Sequence, residues 1–293
     1  LEALRYTTDV HLNEALFKES YVPSFDNTKL HFVEWMPDKF PKAMLLLVHG
    51  LGDHILRYRL MAQFFNENQI AVIGMDMRGH GKSGGSRGAG FYINYLKDIS
   101  TLVDYAKRRF PHLPKVLYGH SLGGTLTLNY IIRNRTNLAG VVSSSPWIRP
   151  VSYSDVWSLP VLRYLNYVYP VITMSERFKA ELLSHDSNVG QMYESDPLVR
   201  RRVSINLLFD AAAAGDYILR NKHKVNVPLL LMHGSGDKIT SCAASSEFAK
   251  NTSSLTNFRL WLGAFHELHN EVEKDAIFEY ILRWMLNLPQ VQR

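Results

Sequence analysis

The sequence predicts an α/β fold: a mostly parallel central sheet with helices on both faces and a helical cap inserted between two core strands. Three observations lead there. Short β-branched or leucine-rich runs alternate with segments of helix length. The runs MLLLV (Met44–Val48) and PLLLM (Pro228–Met232) are apolar at nearly every position, the mark of strands buried on both sheet faces. Between Trp147 and Asn226 the strand rhythm stops.

The strand-like runs are Leu30–Trp35, Met44–Val48, Ile70–Met75, Lys115–Tyr118, Gly140–Ser143, Pro228–Met232 and Phe258–Leu262. Helical patterns fill Arg57–Asn68, Tyr92–Arg109, Leu122–Arg133, Ser241–Lys250 and Asn270–Met285. The strandless stretch is rich in aromatic and aliphatic residues, but Pro160, Arg163, Asn166 and Pro170 interrupt it, so it does not form a membrane helix. It divides the chain into a core of residues 1–146 and 227–293 and a cap of residues 147–226.

With 293 residues, 46% hydrophobic and 20% charged, the chain has material for one large core carrying an insertion. The net charge of +6 is modest and the basic residues are scattered, and Arg200-Arg201-Arg202 reads as a solvated face, so no nucleic-acid partner is expected. The single cysteine, Cys242, excludes an intrachain disulfide and fits a reducing, cytoplasmic compartment. The stretch LEALRYTTDVHLNE lacks a basic segment followed by an apolar one, so no secretory signal is expected. Trp157, Leu159, Val161, Leu162 and Tyr164 in the cap suggest transient peripheral contact with a membrane.

The chemistry begins at YGHSLGG, residues 118–124. A serine hydroxyl is a weak nucleophile until a base takes its proton and a third group orients that base. Here a strand leads into Ser121 and a helix leads out, and Gly119 and Gly123 let the two approach closely. The partners of such a serine follow in the order acid, then histidine, each after a later strand. PLLLMHGSGDKIT supplies Asp237, and FRLWLGAFHELHNE supplies His266. His269 competes with His266 but stands farther from the strand end, as a helix-surface or supporting residue; Asp210 and Asp216 are weaker acids because they fall in the cap.

Acyl transfer also needs donors for the oxyanion. The backbone N–H of Leu122 is one, and the turn after Met44–Val48 offers the N–H of Leu51, with His49 bracing that turn. Asp76, Arg78 and Ser83 look like residues that fix the next loop. The Gly-x4-Gly-Lys-Ser/Thr spacing of a phosphate loop is missing, and the pairs His49/His54 and His266/His269 lack a third ligand, so neither a nucleotide nor a metal site is expected.

HGLGDHILRY, DMRGHGKSGG, GHSLGG, HGSGDKITS and FHELHNE, with Asp196-Pro197-Leu198 in the cap, together resemble the monoacylglycerol lipase family of α/β-hydrolases, also labelled lysophospholipases. The likeness runs from Asp26 to Leu288. It implies a Ser121–Asp237–His266 triad, an oxyanion hole at Leu51 and Leu122, a mobile cap, no cofactor, and release of a fatty acid from glycerol. Leu51 is bulkier than the alanine of some members, but only its backbone is needed. Lysophospholipase, broad carboxylesterase and non-catalytic ligand-binding protein are the competing expectations.

Overall fold

The computed structural model describes residues 17–151, 164, 166–169, 171–175, 179–250 and 252–292. An eight-stranded sheet forms the centre, built from β1 (Phe17–Pro23), β2 (Lys29–Trp35), β3 (Ala43–Val48), β4 (Ile70–Met75), β5 (Lys115–His120), β6 (Gly140–Ser144), β9 (Leu229–Gly234) and β10 (Thr256–Trp261). Its order is β1-β2-β4-β3-β5-β6-β9-β10. β2 pairs antiparallel with both β1 and β4, and the remaining neighbours run parallel.

Alternation along each strand explains the continuously apolar runs. Met44, Leu46 and Val48 join one core cluster, while Ala43, Leu45 and Leu47 join another. The first cluster takes in helices α2 (Tyr92–Arg109) and α3 (Leu122–Arg133). The second takes in α1 (Arg59–Glu67) and α7 (Lys274–Leu286). Each fully buried leucine contributes about 1.5–3 kcal/mol of burial free energy.

Three expectations need correction. β1 was not foreseen; its burial alternates along an exposed edge, and its sequence FKESYVP offers too few apolar residues to stand out. The stretch after Trp147 is not strandless: β7 (Thr173–Ser175) and β8 (Arg202–Ser204) pair antiparallel, each only three residues long. The last helix starts at Lys274, because Leu268–Asn270 forms a separate 3-10 turn.

Between β6 and β9 lie β7, β8 and the helices α4 (Ser187–Ser195) and α5 (Ile205–Asn221). α5 caps its N-terminus with Ser204 and buries Leu207, Ala211 and Ile218 in the first core cluster, and Gly215 packs so closely that an added Cβ would meet the Ile148 carbonyl at 1.9 Å. After β9, α6 (Cys242–Ala249) starts at Cys242, as a helix-start residue should. Of the apolar residues suggested for membrane contact, Trp157, Leu159, Val161 and Leu162 lie outside the described residues; Tyr164 is described and exposed. Among the described residues no helix is long and apolar enough to cross a membrane.

Leu46 is wholly buried in the middle of β3. Leu46→Ala is therefore expected to lower stability by about 2–5 kcal/mol, read as a lower urea midpoint at unchanged slope.

Candidate active site

Ser121, Asp237, His266 and the turn at Leu51 all follow the C-terminal ends of parallel strands, the edge where open α/β sheets gather their chemistry. Ser121 sits between β5 and α3 with φ 54° and ψ −117°. A non-glycine residue held there stores about 1–3 kcal/mol, and the surrounding packing enforces it. A Cβ on Gly119 would lie 2.2 Å from the Gly123 carbonyl, and one on Gly123 would lie 2.4 Å from the Val48 carbonyl. The glycines thus permit the close strand–helix approach that lifts the serine clear of the sheet.

His266 reaches Ser121 because two loops zip together backbone to backbone. Ser235 N–H donates to the Trp261 carbonyl and Gly236 N–H to the Ala264 carbonyl, both at 2.9 Å. A side chain on Gly234 or Gly236 would strike that partner loop, at 2.2 Å from the Ala264 carbonyl and 2.4 Å from the Gly263 carbonyl. The zipper brings His266 Nδ1 to 2.7 Å from Asp237 Oδ2 and His266 Nε2 to 3.0 Å from Ser121 Oγ. An ionised carboxylate only accepts, so Nδ1 carries the proton and Nε2 is free to accept from the serine hydroxyl.

Electrostatics agree with this assignment. Burial opposes the charge on Asp237, but His266, His233 and their hydrogen bonds outweigh it and hold the carboxyl well below the usual carboxylate range. Burial likewise pulls His266 down, yet the charge and hydrogen bond of Asp237, with Glu267 and Asp53 beyond, leave it above the ordinary imidazole value.

The Leu51 turn lies directly against the serine: a Cβ on Gly50 would be 3.3 Å from Ser121 Cβ. His49 braces the turn, donating from Nδ1 to the Gly50 carbonyl at 2.7 Å and accepting the Met77 N–H at Nε2 at 2.8 Å. Leu122 opens α3, so its N–H belongs to the first helical turn, where donors have no intrahelical acceptor. Asp76 and Ser83 fix the neighbouring loop as expected: Asp76 accepts from Ile55 N–H and Lys82 N–H, and the Ser83 hydroxyl donates to the Asp76 carbonyl. Arg78 is paired with Asp98 and Asp26. Asp210 lies on α5 and accepts the Tyr92 N–H that opens α2.

Sequence reasoning did not assign a polar cluster beside the triad. Arg57 binds Glu267 with both guanidinium nitrogens at 2.8 and 2.9 Å and Asp53 at 2.9 Å. His269 is buried rather than on a helix surface; it stacks on Tyr58 at 4.4 Å and lies 4.8 Å from the His120 ring, itself 4.7 Å from His266. Burial holds His269 down at about 4. Both His269 ring nitrogens, the Tyr58 hydroxyl, His120 Nδ1 and Asp53 Oδ2 are buried without a protein partner. Asp53, Glu267 and His269 bring ligand atoms within 4.8 Å of one another, but the Arg57 guanidinium already supplies the cation for both carboxylates. The signal was present in HGLGDHILRY and FHELHNE, yet Arg57 and Glu267 are 210 residues apart and only the fold joins them.

Sheet order, elbow and comparisons together place the chain among the α/β-hydrolases, as a serine ester hydrolase by class. The profile of the serine aminopeptidase S33 family matches residues 39–273, and the chain belongs to that family. It is 28% identical over 256 residues to a monoacylglycerol lipase of Mycolicibacterium smegmatis, covering 86% of this chain and 91% of that one. It is 33% identical to an abhydrolase domain-containing protein of Dictyostelium discoideum over 89% of this chain but only 28% of that longer protein. The crystal structure of Paleococcus ferrophilus monoacylglycerol lipase superposes with a TM-score of 0.80 at 26% identity, covering 88% of this chain and 98% of that one. The motif resemblance to the monoacylglycerol lipases is thereby borne out.

A base that accepts the Ser121 proton must itself be unprotonated, so with His266 in that role kcat/KM should fall as pH drops through its raised pKa, with the acid limb centred above the ordinary value of about 6.5. Asp237→Asn should lower kcat by about 10⁴-fold and move that limb downward, since burial then acts on His266 unopposed by the neighbouring charge. A pH series of ester hydrolysis on both proteins measures this.

Proposed function

We propose that the protein hydrolyses monoacylglycerols to glycerol and a fatty acid, with Ser121 as nucleophile, His266 as general base and acid, and Asp237 as the group that orients and stabilises His266. The carrying observation is the continuous line of short hydrogen bonds from Asp237 through His266 to Ser121. His266 Nε2 takes the Ser121 proton as Oγ attacks the ester carbonyl. The N–H groups of Leu51 and Leu122 meet the oxyanion, and His266 then delivers its proton to the departing alcohol. A water deprotonated by the same Nε2 releases the fatty acid and frees Ser121.

Glycerol as the leaving group is supported by the similarity to the monoacylglycerol lipases. An aminopeptidase would need a carboxylate for the substrate ammonium. Here both carboxylates of Glu267 and Asp53 are engaged by Arg57. Residues 147–226 act in this reading as the cap that covers the acyl chain. Tyr164, Tyr167, Tyr169, Val171 and Ile172 are exposed on it, Tyr167 to 86%, and amphipathic tyrosines with aliphatic neighbours suit brief contact with a lipid surface from the aqueous side.

Purified protein should turn over a short-chain nitrophenyl ester, and Ser121→Ala should lower that rate by more than about 10³-fold. Monoolein should be hydrolysed faster than lysophosphatidylcholine. Undiminished turnover in Ser121→Ala would refute the nucleophile, and a preference for the phospholipid would replace the substrate.

A further inference from the structure

We infer that His233 is a positioning residue for the reaction, a second imidazole that donates to the same Asp237 oxygen as His266 and fixes which lone pair faces His266. The inference rests on the triad reading above. His233 is the penultimate residue of β9, four residues before Asp237, and is fully buried. Its Nε2 lies 3.1 Å from Asp237 Oδ2 and 3.2 Å from the Thr240 carbonyl. Both are acceptors only, so Nε2 carries a proton. On the opposite side of the ring, Nδ1 lies 2.8 Å from the Ser245 hydroxyl on α6, which pins the ring rotation.

Asp237 Oδ2 is therefore shared by two imidazoles and the Thr240 hydroxyl, at 2.7 Å from His266, 3.1 Å from His233 and 2.8 Å from Thr240. Oδ1 is taken by the Ile239 and Thr240 N–H groups at 2.8 and 3.0 Å. A carboxylate hydrogen-bonded on every side has one orientation, and its charge is divided among several donors. Removing His233 leaves more of that charge for His266, which then holds its proton more tightly. It also leaves only Thr240 and His266 to orient Oδ2. The other titratable groups facing this pair are His120 against the His266 ring, Glu267 and Asp53 near His266, and Cys242 beside Asp237. None of them contacts His233 in the bonds above, so variants at residue 233 leave them in place.

The test is a pH series of kcat and KM on a short-chain nitrophenyl ester for the wild type, His233→Leu, His233→Gln and Ser245→Ala, with thermal midpoints alongside. A glutamine amide reaches the position of Nε2 and restores the donor. His233→Leu should lose about 10- to 100-fold in kcat with KM little changed, and its acid limb should move to higher pH. His233→Gln should recover most of both, and Ser245→Ala should show a smaller shift in the same direction. A His233→Leu profile matching the wild type would overturn the inference, as would folded His233→Gln impaired as much as His233→Leu. If His233→Leu does not fold, an unshifted Ser245→Ala profile overturns it and a shifted one supports it. Absence of turnover in the wild type would instead strike the hydrolase reading itself.

Discussion

The carboxylate of Asp237 is a negative charge with a fully buried side chain, and the arrangement of the site follows from keeping it ionised there. An isolated buried charge is costly, and the fold offsets that cost with donors on both oxygens. His233 on β9 and Ile239 and Thr240 in the turn after it supply most of those donors, and His266 adds the one from the loop after β10 when the two loops are zipped together. Gly234 and Gly236 make the zipper possible because any side chain there would collide with the partner loop. The raised basicity of His266 comes chiefly from this buried charge, with Glu267 and Asp53 beyond it, and the same charge aligns His266 on Ser121.

The same loops are tied to the segment between β6 and β9. Glu267 N–H donates to the Leu183 carbonyl at 2.7 Å, and the Ser184 hydroxyl donates to the Asn270 carbonyl at 2.8 Å. Glu271, fully buried, accepts from the Phe265 N–H and lies 3.0 Å from His185 Nδ1. Beside the Leu51 turn the Arg200 N–H donates to the Gly52 carbonyl at 2.7 Å, and His54 pairs with Asp196 at 2.8 Å. Both the histidine loop and the Leu51 turn therefore lean on the inserted segment, and its movement would be felt at His266 and at that turn together.

Much of this was legible in the sequence for reasons the structure makes plain. The seven foreseen strands are all present, and five of them, at Met44, Ile70, Lys115, Gly140 and Pro228, were legible because burial on both faces forces a continuous apolar run. Tyr92–Arg109 and Leu122–Arg133 were read to their ends because a single helical period runs through each. Ser121, Asp237 and His266, which the structure brings into one line of hydrogen bonds, could be singled out because each follows its own strand. What escaped lacked such a local signature. β1 is an edge strand with alternating exposure, and β7 and β8 are too short for any periodicity. Arg57, Glu267 and His269 matter through contacts between distant segments, and His233 lies just past the run Pro228–Met232, near the end of β9, where nothing local marks it out.

The central claim is that this geometry makes Ser121 uniquely nucleophilic, and covalent labelling tests it most directly. After treatment of the wild-type protein with a fluorophosphonate, peptide mass spectrometry should find one equivalent of adduct, located on Ser121. The label should be lost in His266→Ala, which keeps the hydroxyl and removes its base. A protein that takes up no label, or carries it on another serine, would contradict the account.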